Sequence, residues 1–246
     1  MAKLVFTFDD GIRTHYDLVR PLLKEHGLTG TFFVPGDAAR CCWNKPLRRD
    51  HKEGPLSWDE IRELHADGFE VGNHTLTHPN MLHVDHTRRR REVQELDDAL
   101  VSHGIPASST FCYPGYSTSD AVCKVVRDLG FKFARTGHGL HGCRSFIKFA
   151  GTLLSEDRKP LVYYVPAVSD PMSVNSTGIL EDDYTVDHFI HDIEGTPEGA
   201  VAVFTAHGFA YSPRWKNFKE MVKYVVDNGH ETINFRDMPV AQSSHL

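Results

Sequence analysis

Paired cysteines are missing. The chain has five cysteines, an odd number, at 41, 42, 112, 123 and 143, and none forms a C-x-x-C pair. This excludes a disulfide framework and a structural zinc knuckle, and leaves reduced thiols in a cytoplasmic setting as the expectation. A basic excess is missing too: 27 Lys and Arg against 33 Asp and Glu give a net charge of -6. Nucleic acid and anionic membrane surfaces are therefore not expected partners. No apolar run approaches the roughly 20 residues that a membrane span requires. Met1-Ala2-Lys3 leads straight into Leu4-Val5-Phe6, and Asp9 and Asp10 interrupt before an apolar leader region is complete, so no export signal is expected. Repeats, low-complexity tracts and interdomain linkers are also lacking. With 246 residues, 40% of them hydrophobic, one domain over 1–246 is expected.

What is present is an alternation. Short runs rich in β-branched and aromatic residues read as strands at Leu4–Phe8, Thr31–Val34, Phe69–Gly72, Ser109–Tyr113, Phe131–Ala134, Val162–Val165, Val201–Thr205 and Thr232–Phe235. Helical periodicity fills Trp58–Ala66, Arg89–Ser102, Ala121–Leu129 and Trp215–Val226. Gly27, Gly68, Gly104, Gly130 and Gly229 each stand where a helix closes before the next strand. Ser57 with Glu60 predicts a capping box, and Ser212 ahead of Pro213 predicts an N-cap. Parallel strands joined by right-handed crossovers follow, and the fold class is α/β: an irregular (β/α) barrel with seven or eight mostly parallel strands. Residues 36–56 read as a long loop and residues 137–183 as weakly patterned, with one strand.

Polar residues gather just past the carboxyl ends of these strands: Asp9 and Asp10, His74 and His78, Tyr113, Arg135 and His207. In a parallel barrel those ends converge on one mouth. Two carboxylates and two imidazoles there suit a divalent metal, zinc first, with cobalt, nickel or manganese as alternatives. Side chains alternate along a strand, so Asp9 and Asp10 must differ in role or sit where the strand bends. Pro79 disfavours a helix at His78, which places that pair on a turn or loop.

Thr7-Phe8-Asp9-Asp10-Gly11, then Asn73-His74-Thr75-Leu76-Thr77-His78-Pro79, with Thr31-Phe32-Phe33-Val34 between them and a late His207, resemble the polysaccharide deacetylase family, carbohydrate esterase family 4. The resemblance implies a distorted barrel and a single catalytic domain in which Asp10, His74 and His78 bind the metal. It implies further that Asp9 is the base, His207 the general acid, and a backbone N–H near Tyr113 an oxyanion contact. The implied reaction is removal of an N-acetyl group from an amino sugar or glycan. The chain departs from the family pattern in three places. Cys112 stands where an arginine is usual, Thr205 replaces a leucine, and Asp170 is a faint counterpart of the fourth motif. Arg135 is the candidate to supply the guanidinium from another direction, the alternative being a pairing with a surface acid.

Tyr116 is expected to stack on a sugar ring, with Trp43, Trp58 and Trp215 as further aromatic candidates against core packing. Arg88–Arg91 are followed by Glu92, Glu95, Asp97 and Asp98 and read as a solvated, salt-bridged helix face. Cys41 and Cys42 read as loop thiols, and His138 and His141 as mouth or surface residues. Two other functions share this pattern: a metal-dependent hydrolase of a small amide or ureide, and a carbohydrate-binding relative without catalysis.

Overall fold

The computed structural model describes residues 1–37, 41, 54–137, 163–166, 168–179, 184–209 and 212–240. Strand β1 (Lys3–Asp9) leads through a wide helical turn at His15–Val19 into α1 (Arg20–Glu25) and β2 (Thr31–Val34). There follow α2 (Trp58–Ala66), β3 (Glu70–Asn73), α3 (His86–Ser102), β4 (Thr110–Cys112), α4 (Asp120–Asp128) and β5 (Phe133–Arg135). The second half carries β6 (Tyr163–Tyr164), β7 (Thr177–Gly178), α5 (Val186–Glu194), β8 (Val201–Ala206), α6 (Ser212–Asp227) and β9 (Glu231–Thr232).

Local chemistry fixes the helix boundaries. The predicted capping box of α2 forms, Ser57 accepting from the Glu60 N–H while the Glu60 carboxylate accepts from the Ser57 N–H. Asp85 and Ser119 cap α3 and α4 in the same sense. All five helix-closing glycines have positive φ, a conformation that only glycine adopts freely. Helix α5 was not singled out by periodicity; its cap pairs Thr185 with His188 in place of the usual Glu or Gln. The side chain of Ser212, the predicted cap of α6, lies outside the described residues.

Nine strands form one sheet among the described residues, in the order β5-β4-β3-β2-β1-β8-β6, with β7 on β8 and β9 on β1. This exceeds the seven or eight expected by β7, which is two residues long; β6 and β9, equally short, fall where strands were expected at 162–165 and 232–235. β6 is antiparallel to β8; the other pairings are parallel. The predicted strand at 232–235 shrinks, since Phe235 starts a short 3-10 turn (Phe235–Asp237). The curl is brought round by one segment. Val174 bridges Arg135 at the edge of β5, and a few residues later Thr177–Gly178 pairs with β8.

Strand alternation divides the core. Val5, Phe33, Cys112, Phe133, Val201 and Val203 pack inside with Phe235 and Met238. Leu4, Phe6, Phe8, Phe32, Val34, Val71 and Phe204 point the other way, into the helical layer. Each such ring or branched side chain contributes roughly 1.5–3 kcal/mol by leaving water. The interior is filled to the point that a Cβ at Gly72 would overlap the Phe33 ring. The inward series on β1 therefore runs Val5, Thr7, Asp9, which delivers a carboxylate to the mouth.

Candidate metal centre and active site

Asp9 is the last residue of β1, and Asp10 leaves the strand with φ 72°. This bend resolves the problem of two consecutive acids: both reach the mouth, because the second is no longer in strand geometry. The loop after β3 has two more non-glycine residues in the left-handed region, Thr75 (φ 65°) and His78 (φ 52°). Such conformations cost about 1–3 kcal/mol each and persist only where the surroundings enforce them. Here the enforcement is visible. Asn73 donates to the Val93 carbonyl at 3.0 Å and to Asp97 at 2.9 Å, and its own oxygen accepts from the Thr75 N–H. Buried Glu92 on α3 accepts from both the N–H and the hydroxyl of Thr77 at 2.8 Å. His78 is non-helical, as Pro79 requires.

The strained loop sets two imidazoles against one carboxylate. Asp10 Oδ1 lies 3.3 Å from His74 Nε2 and 3.1 Å from His78 Nε2. One ligand atom from each of the three falls within 4.8 Å of the others, and all three residues are buried. His74 donates from Nδ1 to the Cys112 carbonyl at 2.8 Å, so in the neutral ring the Nε2 lone pair faces Asp10. A lone pair facing a carboxylate oxygen needs a cation or a proton between them. Burial opposes a charged His74, yet the Asp10 carboxylate outweighs it and raises the ring's pKa. Asp10 itself, despite its burial, is held well below the usual carboxylate range by His74 and His78. One carboxylate oxygen and two imidazole nitrogens fit a divalent metal of the zinc type.

Asp9 is provisioned differently. Its Oδ2 receives Arg135 Nη2 in a fully buried ion pair, with the Cys112 thiol at 3.8 Å and the Thr205 hydroxyl at 3.5 Å. Its Oδ1 has no hydrogen-bond partner among the described residues. Burial pushes the Asp9 carboxyl up, but Arg135 and then His207 pull it below its ordinary value. Arg135 is anchored in turn by Ser176 Oγ at 2.9 Å and the Thr136 carbonyl at 3.3 Å. Cys112, in the place of the usual arginine, leaves room for a guanidinium arriving from β5, so the alternative of a surface pairing for Arg135 is excluded. His207, 40% exposed, puts Nε2 at 3.8 Å from Asp9 Oδ2 and 3.9 Å from Asp10 Oδ2. The Tyr116 ring lies 6.0 Å from the His207 ring and 5.3 Å from the Arg135 guanidinium, over Gly137.

Several expectations are corrected. Tyr113 does not serve the mouth: its N–H donates to the Arg135 carbonyl, its hydroxyl to the Met172 carbonyl, and its ring is buried against Phe111. The strand alternation that turns Cys112 inward turns Tyr113 outward. Asp170 caps the turn at Pro171–Ser173 and pairs with Arg127 at 3.5 Å. Trp58 stacks on His103, and Trp215 packs against Phe209 and Phe218, as core packing predicts. Arg88 and Arg91 pair with Glu92 and Glu95 along α3, as expected of a salt-bridged face. Cys41 donates to the Asp37 carbonyl. Trp43, Cys42, His138, His141 and most of the 36–56 loop lie outside the described residues. The loop's end is described: Leu56 N–H donates to the Gly11 carbonyl beside Asp10.

Sequence reasoning missed Asn73, Glu92, Ser176 and His15. Asn73 had a signal, a polar residue closing the buried run of β3; Glu92, in the charged run of α3, had none. His15 is fully buried, accepts from the Ile12 N–H and donates to the His207 carbonyl.

The polysaccharide deacetylase family model matches residues 2–134, which include Asp9, Asp10, His74 and His78 and stop one residue short of Arg135. A chitooligosaccharide deacetylase of Rhizobium leguminosarum bv. trifolii is 34% identical over 101 residues, 41% of this chain and 40% of that protein. A peptidoglycan-N-acetylglucosamine deacetylase of Bacillus cereus is 26% identical over 100 residues, 40% of this chain and 31% of that protein. The chain thus spans less than half the length of these curated relatives. The fold likeness runs further: a family 4 carbohydrate esterase of Streptomyces lividans, solved with acetate, matches with a TM-score of 0.62 over 98% of this chain and 97% of that one, at 15% identity. Sequence match over more than half of the chain, on a barrel whose likeness extends over nearly all of it, leads to one assignment: this chain belongs to the polysaccharide deacetylase family.

Proposed function

We propose that residues 1–246 form one catalytic domain that hydrolyses the N-acetyl group of an amino sugar, free or within a glycan, with a divalent metal held by Asp10, His74 and His78. The observation that carries this reading is the contrast between neighbouring carboxylates. Asp10 faces two imidazole nitrogens, whereas Asp9 is anchored through Oδ2 and, among the described residues, has no hydrogen-bond partner at Oδ1. The deacetylases of chitooligosaccharide and of peptidoglycan among the relatives support an N-acetylated sugar as substrate.

Zinc is the first candidate, and cobalt, nickel or manganese would accept the same donors. When bound, the metal supplies Lewis acidity toward the amide carbonyl and lowers the pKa of water. The chain's own groups do the rest. Asp9 accepts the proton of the attacking water at Oδ1, while Arg135 and Thr205 hold Oδ2 and keep the carboxylate ionised and fixed in direction. His207 gives its proton to the departing amine, a poor leaving group without it. The partly buried Tyr116 ring, beside His207, offers a face for the C–H side of a pyranose.

The test is acetate release from N-acetylglucosamine oligomers by metal-loaded protein, against chelated protein and against a panel of small amides and ureides. Acetate release that vanishes on chelation and returns on metal addition is expected. Turnover of ureides alone would replace the substrate, and no turnover of any substrate by loaded protein would leave a binding relative.

A further inference from the structure

We propose that His15 is a positioning residue for His207, a clamp that ties the backbone carrying the acid to the turn carrying Asp10; the inference rests on the deacetylase reading for its catalytic consequence. β8 ends at Ala206, so the His207 carbonyl lies just beyond the ladder that pairs β8 with β1. His15 takes over there. Its Nε2–H donates to the His207 carbonyl at 3.1 Å, and its Nδ1 accepts from the Ile12 N–H at 3.4 Å. Ile12 is two residues from Asp10. One ring therefore joins the loops that follow two neighbouring strands, β1 and β8.

A second rung lies beside the first: the Phe209 N–H donates to Thr14 Oγ1 at 3.2 Å. Consecutive residues of one segment thus hold the backbone on both sides of Gly208. The ring itself cannot swing. It sits at 0% exposure among Phe8, Phe32 and Phe209, with ring centroids 5.6, 6.1 and 6.4 Å away.

The choice of residue argues for the clamp. In a pocket of phenylalanines, another phenylalanine would fill the space without the cost of burying a polar ring. A neutral imidazole is the flat side chain that offers one donor and one acceptor in opposed directions. Burial pushes the His15 pKa down to about 4, which keeps the ring in that neutral form. The target also needs such help. His207 is half-exposed and stands 3.8–3.9 Å from the two carboxylates, so its direction is set by where its backbone is held.

The experiment compares wild type with His15→Phe, which keeps the packing and removes both hydrogen bonds, and with Thr14→Val, which removes the second rung only. Metal content should be unchanged in both. In His15→Phe, kcat should fall about 10- to 100-fold with KM moving less than about twofold, the scale expected for a misplaced catalytic group. Thr14→Val should show the same pattern, weaker, and serves where His15→Phe fails to fold. Amide exchange is read in parallel: Ile12 and Phe209 should exchange faster in His15→Phe, while the β1 amides stay protected. Unchanged kcat, or unchanged exchange at both amides, overturns the clamp. Absence of acetate release in wild type overturns the deacetylase reading instead, and exchange still decides whether the clamp exists.

Discussion

The two ends of this barrel bury the same kind of group and treat it in opposite ways. At the amino end of β3, Glu70 is 2% exposed and fully engaged: Thr110 donates to one oxygen, and Thr31 and the Arg236 N–H donate to the other. At the carboxyl end of β1, Asp9 is 1% exposed, yet among the described residues only its Oδ2 has hydrogen-bond partners. Around Glu70 the strands are regular; around Asp9 the backbone passes through positive φ at Asp10, Thr75, His78 and Tyr116. A buried carboxylate with every partner supplied stabilises a fold. One with an open oxygen beside strained backbone carries a cost that folding alone does not require. The difference locates the chemistry without reference to any relative.

The largest test of that contrast is Asp9→Asn. The amide oxygen still accepts from Arg135, so the fold and the proposed ligands Asp10, His74 and His78 remain, but the proposed base is gone. Turnover should fall about 10²–10⁴-fold, the usual weight of a general base, with metal stoichiometry unchanged by elemental analysis. Some stability is lost as well, because Arg135 keeps its charge in a dry place. Retained turnover would move the base elsewhere and erase the contrast. Arg135→Met follows in size. It frees Oδ2 and leaves Asp9 charged and uncompensated, which should cost about 3–5 kcal/mol in urea unfolding and lower turnover of the remaining folded protein. A variant as stable as wild type would return Arg135 to a surface role.

Much of the mouth was legible in the sequence because strand ends in a parallel barrel converge. Asp9, Asp10, His74, His78, Arg135 and His207 meet as that rule requires. Tyr113 failed for a reason equally physical. Its neighbour Cys112 takes the inward position, so Tyr113 faces outward, and its N–H is consumed by the Arg135 carbonyl. The register that decides between the two is a tertiary property. The short strand β7 escaped because two residues carry no periodicity to read. The supports behind the site escaped as well: Glu92 sits in a run of charges and reads as solvated, although it is 6% exposed and bonded to Thr77.

That last residue gives an intermediate test. Glu92→Gln keeps the size of the side chain but loses one of the two acceptors that hold the loop of His74 and His78. Metal affinity, measured by competition with a chromophoric chelator, should weaken about 10- to 100-fold, as for other groups that orient ligands from behind. Unchanged affinity would mean that the strained loop holds itself.

The smallest effect belongs to the other end. Burial raises the Glu70 carboxyl above its ordinary 4.5, against the pull of Thr110, the Arg236 N–H and Thr31. Between 4.5 and that higher value the folded chain holds more protons than the unfolded chain, so the unfolding free energy falls as pH rises through this window and is level above it. Glu70→Gln cannot titrate. It also turns a donor toward groups that now donate, which should cost about 1–3 kcal/mol. Groups common to both proteins cancel in the difference, so the deficit of the variant should be greatest in acid and shrink as pH climbs from about 4 toward neutrality. Turnover per folded molecule and metal content should not change. Lost turnover or metal in this variant would show that the two ends are not separable, and a deficit that grows with pH would mean that Glu70 is held ionised by its partners.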